Sequence, residues 1–352
     1  MMPGRLNPLF EIAAPDLNAG LLNIPDMAVR GLDIAANITH AHIEPLQFED
    51  SQLETAIQHT VGKNEGGILP GDIANLEILN TSRLRIRSLR GMEQLFALRE
   101  LNAMGNKISN IGPLKHNIDL QGLNLSHNII SRINDLGELT GLRKLHLGRN
   151  QITNIEALAG LVHLKDLVLS YNQIADIEPL AGVNDLEELH LIGNQIADIR
   201  VLAKLTKLKV LSLSHNKICD ISPLAELVNL ERLWINCNEI TGIDALARLK
   251  NLRLLYLGTN QISDIHTLRR LTGLEDLDLS NNAITAIDDL AAMANLKVLL
   301  LSNNQIQDIR VLSKLPNLTI VELSNNPVSV TGNSVVHPVI RQLIGRSCLV
   351  KP

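Results

Sequence analysis

Apolar and polar positions along this chain follow one frame that returns every 22 residues. A single asparagine marks it, at Asn106, Asn128, Asn150, Asn172, Asn194, Asn216, Asn238, Asn260, Asn282, Asn304 and Asn326. Around each asparagine runs L-x-x-L-x-L-x-x-N-x-I-x-x-I-x-x-L, as in Leu142, Leu145, Leu147, Asn150, Ile152, Ile155 and Leu158. A degenerate unit comes first; it keeps Leu76 and Leu79 but carries Leu84 at the asparagine position. An unbroken register over so many units excludes an accident of composition.

The frame specifies its own local structure. The x-L-x-L-x piece alternates with period two, which predicts a short strand with one inward face. The spacing then widens to three, which suits a 3₁₀-like return across the opposite side. An inward asparagine in every coil has to be satisfied, and the backbone groups at the bend and in the adjacent coil are its partners. Asparagine also tolerates unusual backbone conformations, so the turn itself is expected at the ladder position. No coil buries its apolar edge alone, so the coils must stack. Composition agrees: 45% of residues are hydrophobic, yet only 2% are aromatic, as stacked Leu and Ile layers require.

This frame resembles the 22-residue class of leucine-rich repeat, which includes the bacterial internalins and the leucine-rich regulatory subunit of protein phosphatase 1. The resemblance covers roughly residues 48–330. It implies an α/β leucine-rich-repeat solenoid, with a curved parallel β-sheet on the concave face, a 3₁₀ or extended convex face and short helical caps.

An open solenoid needs closed ends. Ser51-Gln52-Leu53-Glu54 reads as a capping box, followed by Leu53, Ala56, Ile57 and Val61 on one helical face, with Gly62 and Gly66-Gly67 ending the run. Phe48 to Leu79 looks like the helical cap of internalin-type arrays. At the other end, Ser334 is the expected cap of a final helix that carries Val335, Val336, Val339, Ile340 and Leu343. The expected organisation is an extension over 1–47, a helical cap over 48–75, about twelve coils over 76–330 and a helical C-terminal cap over 331–352.

With the leucines inward, the residues between them line the concave sheet. The central column includes His146, His190, Ser212, Trp234, Tyr256, Asp278 and Leu300; the column before it includes Glu188, Arg232, Leu254, Asp276 and Val298. The single Trp and both Tyr of the chain lie on or beside this face, Tyr171 standing directly before Asn172. Trp, Tyr and Arg dominate binding hot spots, and an apolar patch rimmed by charge marks an interaction surface. The candidate partner-binding residues are therefore Trp234, Tyr256, Arg232, Asp276, Asp278, Leu254, His190, Glu188 and Tyr171. Mutual packing of Trp234 and Tyr256 across strands is the plainer alternative.

The remaining chemistry is sparse. Asp276 and Asp278 offer too few oxygens for calcium or magnesium, and His146 and His190 lie two coils apart, roughly 10 Å. No catalytic, metal or phosphate-binding motif occurs, so a non-enzymatic protein without cofactor or small-molecule substrate is expected. A net charge of −5 with no basic run argues against nucleic acid. No signal-like or membrane-spanning apolar run is visible, and the cysteines Cys219, Cys237 and Cys348 form no disulfide framework. The expectation is a cytoplasmic interaction module that holds a partner protein. The resemblance adds two alternatives, an exported or host-delivered internalin-like adhesin or effector and a regulatory subunit of a phosphatase.

Overall fold

A computed structural model describes residues 44–63, 65–328, 331–332 and 335–351. The expected extension over 1–47 lies, as far as residue 43, outside the described residues. Each coil contributes one three-residue strand, from β1 (Ile78–Asn80) to β12 (Ile320–Glu322). Consecutive strands pair in parallel, always one repeat apart, as in Leu79 with Leu101 and Leu145 with Leu167. The inward residue of each strand, a leucine in β1 to β11 and Val321 in β12, is buried, so the register that buries one residue buries its whole column.

The asparagine ladder forms the bonds its position demands. Asn172 Nδ2 donates to Leu169 O of its own coil at 2.9 Å and to Leu147 O of the preceding coil at 3.0 Å. Its Oδ1 accepts from the N–H of Ile152, also in the preceding coil, at 3.0 Å. The same pattern recurs from Asn106 to Asn326. Each side chain thus stitches two coils together through backbone groups that would otherwise be buried without partners.

The turn conformation does not fall on the ladder asparagine. It falls one residue earlier, where His127, Arg149, Tyr171, Gly193, His215, Cys237, Thr259, Asn281, Asn303 and Asn325 all have φ between 55° and 67°. The left-handed residue turns its own N–H toward the next coil, as when His127 donates to Gly148 O at 2.8 Å. That leaves the asparagine free to point inward.

The return side is made of 3₁₀ turns such as Gly112–His116 and Glu178–Gly182. In several of them an Asn or Asp two residues before the turn caps it locally: Asp176 Oδ1 accepts from Glu178 N at 2.8 Å and Asp264 Oδ1 from His266 N at 2.9 Å. Pro113, Pro179 and Pro223 sit in the first turn, where a missing N–H costs nothing.

The N-terminal helix α1 (Ser51–Thr60) buries Leu53, Ala56 and Ile57 against the first coil. Its cap is Asp50, not Ser51: Oδ1 accepts from Gln52 N and Leu53 N, while Oδ2 takes Arg87 N at 2.7 Å. A carboxylate reaches the helix and the first coil together, which a hydroxyl does not. A second short helix, α2 (Pro70–Ile73), precedes β1 and was not anticipated.

The C-terminal end departs further from expectation. The helix α3 (Pro338–Gly345) is capped by His337, whose Nδ1 accepts from Val339 N at 3.2 Å. Ser334 is outside the described residues, and Val335–Val336 pairs with Thr331–Gly332 as a small antiparallel ladder instead of entering the helix. Val339, Ile340 and Leu343 do bury against the last coil. A last strand over Leu349–Lys351 then adds in parallel to β12, making a 13-stranded sheet. The chain therefore covers the edge of β12, and this short last strand is the new edge of the sheet.

Candidate functional site

The outer face of the sheet brings six of the nine candidate residues together. Arg232 and Trp234 lie on β8 (Arg232–Trp234), Leu254 and Tyr256 on β9 (Leu254–Tyr256), and Asp276 and Asp278 on β10 (Asp276–Asp278). The parallel register sets Trp234 beside Tyr256 and Tyr256 beside Asp278, with Arg232, Leu254 and Asp276 in the adjacent column. The two rings meet edge to face, centroids 6.4 Å apart and planes at 79°. That is a favourable geometry for an aromatic pair. Both rings remain half-buried and Arg232 is exposed, so packing across the strands leaves their outer surfaces open.

Three expectations about this face are corrected. Leu300, expected to add exposed apolar surface, is only 5% exposed. Asp278 is 8% exposed, and its Oδ1 accepts from Ser280 N and Oγ, so it works inward and is not half of an open acidic pair. His190 is 9% exposed and holds Ser212 Oγ through Nδ1 at 3.0 Å. All three lie in the central column, His190 beside Ser212 and Asp278 beside Leu300, and that column is closely packed. Alternation alone does not reveal this.

Burial governs the electrostatics. It pushes the carboxyls of Asp278 and Asp276 above the ordinary range, with Glu322 and Glu275 respectively adding to the shift. The Tyr256 phenol is likewise raised by burial and by Asp276 and Asp278.

Glu188 and His190 lie on β6 (Glu188–His190), two strands before the aromatic pair, separated from it by β7 (Val210–Ser212). Ser212, His190 and Glu188 superficially suggest a nucleophile, base and acid. Ser212 is 2% exposed and the His190–Glu188 separation is 3.9 Å, so the serine has neither access nor an oriented base. Tyr171 stands apart from the strands altogether, on the left-handed ridge, with the Arg149 guanidinium 4.3 Å from its ring centroid.

Sequence reasoning missed a hydrogen-bonded contact on the same face: His146 Nε2 lies 3.0 Å from Asp166 Oδ2. The signal was present, because the two residues are one repeat and one strand step apart. Among the described residues no cluster of three or more His, Cys, Asp or Glu is arranged to hold a metal, and no helix is long and apolar enough to cross a membrane.

These features define a class, a solenoid of leucine-rich coils presenting a parallel sheet. Leucine-rich-repeat models match residues 140–182, 185–226 and 228–270, and a further one matches 272–328, together more than half of the chain. An internalin (inlF) from Listeria monocytogenes is 32% identical, with a TM-score of 0.75, over 86% of this chain and 95% of its own. A leucine-rich-repeat protein of Leptospira interrogans is 26% identical with a TM-score of 0.66, over 74% of each chain. The solved PEPR1–AtPEP1 complex contains a chain 25% identical, TM-score 0.62, over 72% of this chain and 39% of that one. Curated proteins give no match. The chain belongs to the leucine-rich-repeat family, in its internalin-type form.

Proposed function

We propose that this protein is a non-enzymatic binding module that holds a partner protein on the concave face, centred on Trp234 and Tyr256. The observation that carries this reading is the edge-to-face aromatic pair, set in the middle of the sheet with Arg232 exposed beside it and Asp276 beyond. The chain has six aromatic residues in all, and placing two of them side by side on an outer face adds little to a core already built of leucine. Leucine-rich repeats generally mediate protein–protein contacts, and the PEPR1–AtPEP1 neighbour supports this use of the scaffold. The partner surface that fits best supplies an apolar or aromatic anchor beside a basic side chain facing Asp276.

The test is affinity purification of the wild-type chain beside the Trp234→Ala/Tyr256→Ala variant, read by mass spectrometry. A partner recovered by the wild type is lost from the variant, while thermal unfolding of the variant stays cooperative. Retention of every partner at full strength overturns this placement of the binding centre.

A second reading, an exported internalin-like adhesin or effector, rests on the similarity to the Listeria internalin. Fractionation that finds the protein outside the cell selects it over a cytoplasmic role.

A further inference from the structure

Some charges of this surface are paired from coil to coil. Glu187 holds Lys165 and Lys209 at 3.3 and 2.7 Å, and Glu275 holds Arg253 and Lys297 at 2.9 and 2.6 Å. The ridge at the C-terminal ends of the first strands gathers cations that have no such pairs. There Arg83, Arg85, Lys107 and Arg149 are exposed, and among the described residues none of them has a carboxylate within ion-pair distance. His127 stands between Arg83 and Arg149 on the same ridge, and its pKa is lowered by partial burial and by both arginines.

The ridge is also held in place. Arg83, Arg85, His127, Arg149 and Tyr171 all have left-handed backbones, with φ from 55° to 65°. Arg83 folds over Gly105, where an added Cβ would meet its Cγ at 3.0 Å. Tyr171 is held between the Arg149 guanidinium and Gly193, whose added Cβ would meet the ring at 2.7 Å. Ile129, 47% exposed, stands one repeat after Lys107 in the same column. The concentration of unpaired cations on a fixed backbone costs energy through mutual repulsion, and a ligand of opposite charge relieves it.

We propose that Arg83, Arg85, Lys107, His127 and Arg149 form a second docking surface, separate from the aromatic face, that takes an extended acidic segment of a protein partner. Coils stack about 5 Å apart, so Arg83 to Arg149, three coils, spans about 14 Å. An extended segment of about five residues covers that length at about 3.3 Å per residue. Its carboxylates would pair with the arginine forks while its backbone runs along Ile129. Charge complementarity favours this occupant over nucleic acid. The chain is acidic overall, at −5, and the Arg149 guanidinium already stands over the Tyr171 ring, where a base would have to stack.

The probe is a fluorescently labelled peptide of about six consecutive glutamates, followed by anisotropy at an ionic strength of about 0.15 M. The wild-type chain binds it, and Arg83→Gln/Arg149→Gln weakens binding by about tenfold or more, the equivalent of two lost charge contacts. In the wild type the His127 imidazole, followed by NMR, rises in pKa when the peptide is added. The Trp234→Ala/Tyr256→Ala variant binds the peptide like the wild type, so this result stands or falls independently of the aromatic face. Absence of binding by the wild type, equal binding by the arginine variant, loss in the aromatic variant, or an unmoved His127 overturns the proposal. A stronger response to a single-stranded oligonucleotide of equal charge reassigns the ridge to nucleic acid and overturns it as well.

Discussion

Asp278 Oδ1 accepts both the backbone N–H and the hydroxyl of Ser280, at 2.9 and 2.5 Å. These bonds favour the carboxylate, yet burial outweighs them and the pKa is raised, with Glu322 adding to the shift. A carboxyl whose folded pKa lies above its unfolded value contributes stability that is complete below the unfolded value, about 3.9, and is lost as pH rises through the folded one. Asp278→Asn keeps an Oδ1 acceptor for Ser280 without the charge. It is therefore expected to raise the melting temperature at neutral pH and to match the wild type near pH 3.9 or about one unit below. Thermal melts across that range decide it; a variant less stable than wild type at neutral pH would show that the Ser280 bonds, and not burial, dominate.

The ladder makes a sharper prediction. Asn172→Ala strands Leu147 O, Leu169 O and Ile152 N, all of which the side chain now satisfies. Leaving a buried polar group without a partner costs about 1–3 kcal/mol, so the substitution is expected to destabilise by at least about 3 kcal/mol. Gln195→Ala, on the exposed side of the next coil, is the control and should stay within about 0.5 kcal/mol. Urea titration measures both. A loss under about 1 kcal/mol at Asn172 would mean that water replaces the ladder bonds.

The repeat was legible because its period is fixed by hydrophobic spacing. Leu145, Ile152 and Leu158 mark strand, bend and return in the sequence as clearly as in space. The ladder was legible for a related reason, since an asparagine placed inward in every coil has only backbone to bond. The ends were less legible because capping depends on reach. Nothing in the spacing says that Asp50 can serve Leu53 and Arg87 together, or that Leu349–Lys351 will pair with β12 after an intervening helix. The candidate face was half legible. Alternation placed Trp234 and Tyr256 outward, but whether His190, Asp278 and Leu300 remained open depended on neighbours in adjacent coils. Only the side-chain packing decides that.

The left-handed column was the feature most nearly visible and still missed, although Gly105, Gly193, Asn281, Asn303 and Asn325 stand in it. A left-handed backbone costs an ordinary residue about 1–2 kcal/mol, least for Gly and Asn and most for a β-branched side chain. Thr259, at φ 58° and exposed, is the β-branched case. Thr259→Gly is expected to stabilise by about 0.5–1 kcal/mol, after allowing for the added freedom of glycine in the unfolded chain. Asn281→Gly, at φ 55°, should change stability by only about a few tenths of a kcal/mol, because asparagine already tolerates the conformation. Gly193→Ala should do the reverse of Thr259→Gly. It adds a Cβ at φ 67° and at 2.7 Å from the Tyr171 ring, a combination that costs about 1–3 kcal/mol. Urea midpoints of the three variants give the order Thr259→Gly above Asn281→Gly above Gly193→Ala. Any other order would mean that backbone strain does not set stability along this ridge.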